Sequence, residues 1–296
     1  MRTIVAVGCM LSLAVASGCR SPYAKISSPV NLGPNVNSAG HEGSPDISAD
    51  GRSLYFDALR PGGLGGWAIW LSEANSPHAD FGVAAPLAAP VNSRFDDSGP
   101  CISDDGLTLY FASNRPGGSG DFDIWMTTRT TAEGPWTEPV NLGPIVNSSA
   151  YDNHPSISSD GLTLYFDSRR PNDQGQQGIN DIYRCRRATI DDPWGAPEAL
   201  AINTNGIEYS PDISSDNRTL YYDSPLAGRD LWISKRSTAS EDWERGVNMG
   251  SPFNTRGIDT DPSISANAPL LYFVSNRPGG EGGFDIWMMY SMPKKK

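Results

Sequence analysis

Five copies of one short pattern carry most of the residues in this chain that could do chemistry. Counting back from Pro45, Pro100, Pro155, Pro211 and Pro262, the third residue before each proline is acidic: Glu42, Asp97, Asp152, Glu208 and Asp259. The eighth is always asparagine (Asn37, Asn92, Asn147, Asn203, Asn254), and the seventh is Ser38, Ser93, Ser148, Thr204 or Thr255. Five carboxylates drawn close would repel one another, and a bound cation or raised pKa values would relieve the repulsion. A ring of that kind could hold a cation or a basic group of a partner. The same residues also suit loop scaffolding, with the carboxylate accepting backbone N–H groups and Asn and Ser/Thr closing Asx- and ST-turns. Repetition in every copy favours scaffold over site.

A single ligand does not need five equal contacts, so residues that break the pattern are the better binding candidates. On the acidic loops these are His41, Arg94, Phe95, Tyr151, His154, Tyr209 and Arg256. On a second set of loops they are Trp67, Phe122 and the insertion Asn172 to Asn180, with Gln174, Gln176 and Gln177. Aromatics among Asn, Gln and Arg suit sugar or peptide recognition, although each could equally pack locally. The candidate ligand-binding set is the five acids with Trp67, Phe95, Phe122, Tyr151, His154 and Tyr209. Arg60, Arg115, Arg170 and Arg277 follow one strand, and Asp123, Asp181 and Asp285 open the next, which suggests an Arg–Asp clip within each repeat. The first copy has Ala68 at the Asp position, and the fourth replaces the loop by Ser224-Pro225-Leu226-Ala227, leaving it open.

Catalytic signatures are scarce. There is no Gly-x-Ser-x-Gly elbow, no HExxH and no phosphate-binding loop, so no catalytic residue and no cofactor is assigned. The histidines, at 41, 78 and 154, occupy different repeat positions, and no metal site is expected. A net charge of −11, from 23 basic and 34 acidic residues, excludes nucleic acid as the main partner.

The elements that must position these residues follow from composition and period. Gly (31) and Pro (24) are abundant while charged residues are only 19%, which favours tight turns over long helices. The motif Pro-x-Ile-Ser-x-Asp-Gly recurs at a period of about 55 residues. Each copy continues into a strand: Leu54-Tyr55-Phe56, Leu109-Tyr110-Phe111, Leu164-Tyr165-Phe166, Leu220-Tyr221-Tyr222 or Leu271-Tyr272-Phe273. A Gly-rich loop, an aromatic strand such as Asp123-Ile124-Trp125 and a Pro-Val-Asn-Leu stretch complete the unit. It reads as a four-stranded antiparallel meander with a two-residue Asp-Gly hairpin turn. Its middle strands are apolar on both faces, which only stacking between like neighbours can bury. The predicted fold is an all-β, five-bladed propeller. The last repeat ends after its third strand, while Pro29-Val30-Asn31-Leu32 precedes the first. The N-terminal strand is therefore expected to complete the last blade.

The string Pro-x-Ile-Ser-x-Asp-Gly-x-x-Leu-Tyr-Phe-x-Ser-x-Arg-Pro-Gly-Gly…Asp-Ile-Trp resembles the PD40, or TolB-like, β-propeller repeat family across about residues 29 to 290. The resemblance implies a bacterial envelope protein that binds a protein or a glycan. Five repeats are recognisable here, where the namesake propeller is usually described with six. Five-bladed propellers also carry glycosidases, so a carbohydrate-active enzyme, or a multivalent lectin using the acidic loops, stays open as an alternative.

The chain starts with Met1-Arg2 and an apolar run over residues 3–16, too short to span a bilayer and suited to a signal peptide. Ala16-Ser17-Gly18-Cys19 resembles a lipobox, with Cys19 the lipidated residue; cleavage after Ala14-Val15-Ala16, releasing a soluble periplasmic protein, is the alternative. Arg20 in that family implies passage to the outer membrane. The expected organisation is a signal segment (1–19), a tether (20–28), the propeller (29–290) and a basic tail (291–296). The protein is expected to be monomeric and to touch the membrane through its lipid anchor alone. Cys101 and Cys185 lie in non-equivalent strands, so no disulfide is expected between them.

Overall fold

The computed structural model describes residues 28–77, 79–171, 178–225 and 228–290. Cys19, His78, Gln174, Gln176, Gln177 and the basic tail lie outside them. The strands are β1 (Val30–Asn31), β2 (His41–Ile47), β3 (Ser53–Leu59), β4 (Ala68–Glu73) and β5 (Ala85–Pro86). Blade two follows as β6 (Asp97–Ile102), β7 (Thr108–Ser113), β8 (Asp123–Thr128) and β9 (Val140–Asn141), and blade three as β10 (Asp152–Ile157), β11 (Thr163–Ser168), β12 (Asp181–Arg186) and β13 (Glu198–Ala199). Blade four is β14 (Tyr209–Ile213), β15 (Thr219–Ser224), β16 (Asp230–Lys235) and β17 (Val247–Asn248); β18 (Asp259–Ile264), β19 (Leu270–Ser275) and β20 (Asp285–Tyr290) begin blade five. Five four-stranded antiparallel sheets result, and their inner strands β2, β6, β10, β14 and β18 neighbour one another around a closed ring. This is the predicted five-bladed propeller. Its closure is also as predicted: β1 pairs with β20, Val30 opposite Met288 and Asn31 opposite Trp287, completing blade five.

The continuous apolar runs are explained by β3. Leu54, Phe56 and Ala58 pack with Leu270, Tyr272 and Val274 of blade five, while Tyr55 packs with Ile102, Leu109 and Phe111 of blade two. Both faces are dry, as stacking between neighbours requires. The hairpin loop is longer than the two residues expected. Ser48 N–H bonds the Ser53 carbonyl, enclosing four residues, and Gly51 N–H bonds the Ser48 carbonyl. Gly51, Gly106 and Gly161 hold φ of 70–71° there, a left-handed conformation that only glycine adopts freely. Ser48 Oγ accepts the Ser53 N–H and donates to Asp50, so the Ser-x-Asp-Gly string is a side-chain-capped turn.

Every inner strand is broken at its proline. The pairing register shifts at Ser44-Pro45, Gly99-Pro100, His154-Pro155, Ser210-Pro211 and Asp261-Pro262. The residue before proline has φ between 43° and 56° in all five. Proline cannot donate to a ladder and steers its predecessor out of the right-handed helical region, so each motif makes a bulge. For the four non-glycine residues this is a strained conformation, held because the strand on either side is fixed.

Candidate functional site

The residues that are identical in every repeat bond to the scaffold. Each asparagine of the acidic loops braces the third strand of the preceding blade through both amide atoms. Asn92 Oδ1 accepts Ile69 N–H at 2.8 Å and its Nδ2 donates to Ile69 O at 2.8 Å; Asn147, Asn203, Asn254 and Asn37 do the same to Ile124, Ile182, Leu231 and Ile286. Each acid accepts the N–H and the hydroxyl of its own Ser or Thr: Ser148 at 2.6 and 2.8 Å for Asp152, Thr204 at 3.1 and 2.7 Å for Glu208. Glu42, Asp97 and Asp259 are held likewise by Ser38, Ser93 and Thr255. All five acidic residues are at most 1% exposed. The arginines clip to these acids and not to the aspartates of the next strand. Arg115, Arg170 and Arg277 lie 2.6–2.7 Å from Asp97, Asp152 and Asp259, and Arg60 is 3.4 Å from Glu42. Asp123 and Asp285 instead accept the N–H groups of their own Gly-rich loops.

The chemistry that differs between repeats lies at the bulges. Ser44, Gly99, His154, Ser210 and Asp261 surround the central channel together with their prolines. A second position, the residue after Leu-Tyr-Phe, reads Asp57, Ala112, Asp167, Asp223 and Val274. Where it is aspartate it reaches the bulge N–H of the following blade: Asp57 to Gly99 at 2.8 Å, Asp167 to Ser210 at 3.2 Å and Asp223 to Asp261 at 3.4 Å. Where it is Ala112 or Val274, the bulge N–H is taken otherwise, His154 by Asn153 and Ser44 by Asp261. His154 Nδ1 is 2.6 Å from Asp167, which also accepts Asn180 Nδ2 at 2.6 Å. Arg229 Nε donates to Asp223 at 3.0 Å and its guanidinium lies 4.9 Å from the Tyr209 ring.

Of these groups, Ser44, Asp57, Asn153, His154, Arg229 and Asp261 line a funnel of about 550 Å³ at one mouth of the channel. Its wall includes Trp67, Phe122, Tyr151, Phe284 and His41, with Asp57, His154, Arg229 and Asp261 below. The rings of Phe122 and Tyr151 lie 5.3 Å apart and those of His41 and Phe284 5.5 Å apart, each pair tilted. The floor is electrostatically uneven. Burial opposes the charge on His154, but Asp167, with Asp261 and Asp57 beyond, overrides it and raises the imidazole to about 9. Burial lifts Asp57 to about 6 against the Gly99 N–H that favours its charge. Burial also acts against Asp261, yet His154 and Arg229 hold it below the usual carboxylate range. Gly43 leaves the space between this pair open: a Cβ there would lie 2.5 Å from Asp57 Oδ1 and 3.7 Å from Asp261 Oδ2. The floor thus sets two carboxylates, Asp57 and Asp261, beside His154 and Arg229, with Asp167 and Asp223 bonded behind these two bases.

On the far side of the prolines a second ring is structural. The residue after each proline accepts the isoleucine N–H of the next inner strand: Asp46 from Ile102, Cys101 from Ile157, Ser156 from Ile213, Asp212 from Ile264 and Ser263 from Ile47. Burial raises Asp212 to about 7, and burial with the nearby Asp212 charge raises Asp46 well above the carboxylate range. Cys101 and Cys185 are free and buried, as the repeat positions implied.

The funnel thus brings together Glu42, Trp67, Phe122, Tyr151 and His154 from the sequence candidates. Phe95 lies outside its lining, beneath the Arg94 guanidinium at 5.1 Å, and Tyr209 reaches it only through Arg229. Sequence reasoning missed Asp57, Asp167, Asp223, Asp261 and Arg229. The four aspartates were readable from two variable columns, one beside the constant proline and one beside the constant aromatic; Arg229 lies in neither.

No family model and no curated protein matches the chain. Solved structures do. A TolB from Agrobacterium tumefaciens, described as putative, aligns with a TM-score of 0.53 at 16% identity over 90% of each chain. TolB from Acinetobacter baumannii aligns at 0.53 and 15%, over 86% of this chain and 56% of that one. An alpha-L-arabinofuranosidase from Lactobacillus brevis aligns at 0.59 and 15%, over 88% and 92%. At these identities the likeness is one of fold: the chain shares its propeller with TolB proteins and with glycoside hydrolases alike.

Proposed function

We propose that this is a non-enzymatic binding protein of the bacterial cell envelope that captures a glycan or a protein segment in the loop-face funnel. The observation that carries the reading is the funnel itself, an aromatic wall over a floor of paired carboxylates and bases assembled from the residues that break fivefold symmetry. Aromatic faces suit sugar rings and apolar side chains, and the mixed acidic and basic groups of the floor suit hydroxyls and other hydrogen-bonding groups. The channel carboxylates spend lone pairs on joining blades, Asp57 on Gly99 and Asp261 on Ser44, which fits a rigid receptor. The TolB fold relatives and the lipobox-like Ala16-Ser17-Gly18-Cys19 support export and outer-membrane anchoring through Cys19. A glycan array beside capture from envelope extract tests the reading, with Trp67→Ala and Tyr151→Ala expected to lower retained signal at least tenfold. Cys19→Ala should move the protein from the membrane fraction to the soluble one.

One observation favours hydrolysis as a second reading. Glycosidases need two carboxylates of unlike pKa about 5–9.5 Å apart, and here Asp57 is raised while its neighbour Asp261 is lowered. Release of sugar from arabinofuranosides or xylan, abolished by Asp57→Asn, would establish that reading in place of the first.

A further inference from the structure

One backbone seat beside the funnel is built identically in all five blades and filled differently. The residue before each third strand has its carbonyl bonded by the N–H of the next blade's inner-strand acid. Trp67 is held so by Asp97, Phe122 by Asp152, Asn180 by Glu208, Arg229 by Asp259 and Phe284 by Glu42, all at 2.9–3.0 Å. Three seats present an aromatic ring, one an amide and one a guanidinium. Trp67, Phe122, Phe284 and Arg229 line the funnel. Blade four therefore offers a cation where three other blades offer a ring.

That cation exceeds what the fold needs. Asn180 and Arg229 each bond the aspartate of their blade's second strand, Asn180 Nδ2 to Asp167 at 2.6 Å and Arg229 Nε to Asp223 at 3.0 Å. A neutral amide thus suffices to satisfy the aspartate from this seat. The guanidinium brings two further nitrogens, and neither Nη of Arg229 reaches an acceptor among the described residues. Its side chain is 36% exposed, against 9–15% for the arginines clipped to the acidic loops. His154 lines the same funnel in the same state. Asp167 holds its Nδ1 and keeps its charge against burial, and its Nε2 has no acceptor among the described residues. Each base is fixed by its own aspartate and has N–H groups to spare. Past His154 and Asp261 the five bulge prolines narrow the channel to about 30 Å³, space for little more than water. The funnel is therefore blind, and a ligand enters it by one end.

We propose that Arg229, with His154 beside it on the funnel floor, receives the carboxylate of an acidic sugar, so that the funnel takes the end of a uronate-containing glycan. The inference rests on the funnel as the binding site and names the class of its ligand. A carboxylate matches the planar pair of Nη donors. Trp67, Phe122 and Phe284 offer faces to the sugar rings, and Asp57 and Asp261 accept their hydroxyls. A peptide carboxylate would bring no hydroxyls to those two acids, which favours the sugar. The test is calorimetric titration of the full chain with trimers of galacturonate, glucuronate and mannuronate, each as free acid and as methyl ester, and with blocked Gly-Glu-Gly. At least one acid trimer should bind tenfold or more tightly than its ester, a comparison that needs no variant. Arg229→Gln keeps an amide for Asp223 and should erase that preference at an unchanged melting temperature. Arg229→Lys keeps the charge without the fork and should lose most of it. Trp67→Ala should weaken acid and ester alike. Equal binding of acid and ester would overturn the inference and leave the funnel reading standing, whereas binding indifferent to Trp67→Ala would remove the funnel as the site. No saturable binding of any acid trimer, a preference that survives Arg229→Gln, or tighter binding of the glutamate peptide would also overturn it.

Discussion

Two columns of the same inner strand, two residues apart, behave in opposite ways. The acid third before each proline is the same chemistry in every blade, fully buried, and bonded to its own loop. The residue immediately before proline is Ser, Gly, His, Ser or Asp, bends the strand through a left-handed bulge, and faces the channel. Both columns hold polar side chains at the mouth of a propeller. In one the polarity is matched by the repeat itself; in the other it is matched differently each time, within the blade for His154 and Asp167 and across blades for Ser210 and Asp261. In an internally repeated protein, symmetry therefore marks what holds the ring together, and departures from it mark where a ligand finds unequal groups.

The largest effect is expected at the clasp. Deleting residues 28–37 removes β1 and Val36, which is fully buried, and frees the edge of β20. Loss of a cooperative unfolding transition is expected; a truncated chain that melts like the full one would contradict closure through β1. A scaffold column should come next. Asn92→Ala removes bonds to Ile69 N, Ile69 O and Leu87 O, leaving buried backbone groups unpaired, at a cost of roughly 3 kcal/mol by denaturant unfolding. A similar cost is expected for Asn147→Ala, and a cost below about 0.5 kcal/mol at both would show the brace to be incidental.

Channel residues should instead change how stability depends on pH. His154 is raised from 6.5 to about 9, so the folded state binds the extra proton between those values. Its contribution is complete below pH 6.5 and is lost as pH rises through 9. His154→Ala should flatten that alkaline decline in melting temperature, and an unchanged decline would remove His154 as its source. A smaller effect is expected from Asp57, raised from 3.8 to about 6. Here too the folded state holds the proton more tightly, so stability present below pH 3.8 is lost as pH rises through 6. Asp57→Asn should level that window while keeping an acceptor for Gly99 N–H.

The architecture was legible because its signals are local and repeated: the Asp-Gly turn, the doubly apolar Leu-Tyr-Phe strand and the orphan Val30-Asn31. The loop around Gly51 is longer than expected because Ser48 caps it through its side chain, a bond that spacing alone does not distinguish from a tight turn. The floor of the funnel was harder to see. Asp57, Asp167 and Asp223 sit inside runs that read as strand core, and each bonds to the next blade, so their role depends on a neighbour distant in sequence. The expected clip with Asp123 joins residues nearer along the chain, whereas the folded blade brings Arg115 over Asp97.

On the proposed function, ligand recognition resides in the asymmetric funnel and not in the fivefold acidic loops. It is tested most directly by one comparison on the same glycan array and envelope-protein panel: wild type, the Trp67→Ala/Tyr151→Ala variant, and Asp97→Asn. Ligands retained by the wild type should fall at least tenfold with the funnel variant, at an unchanged melting temperature. Asp97→Asn should melt earlier yet bind the same ligands while folded. Ligands that ignore the funnel variant and are lost on Asp97→Asn below its melting point would contradict it.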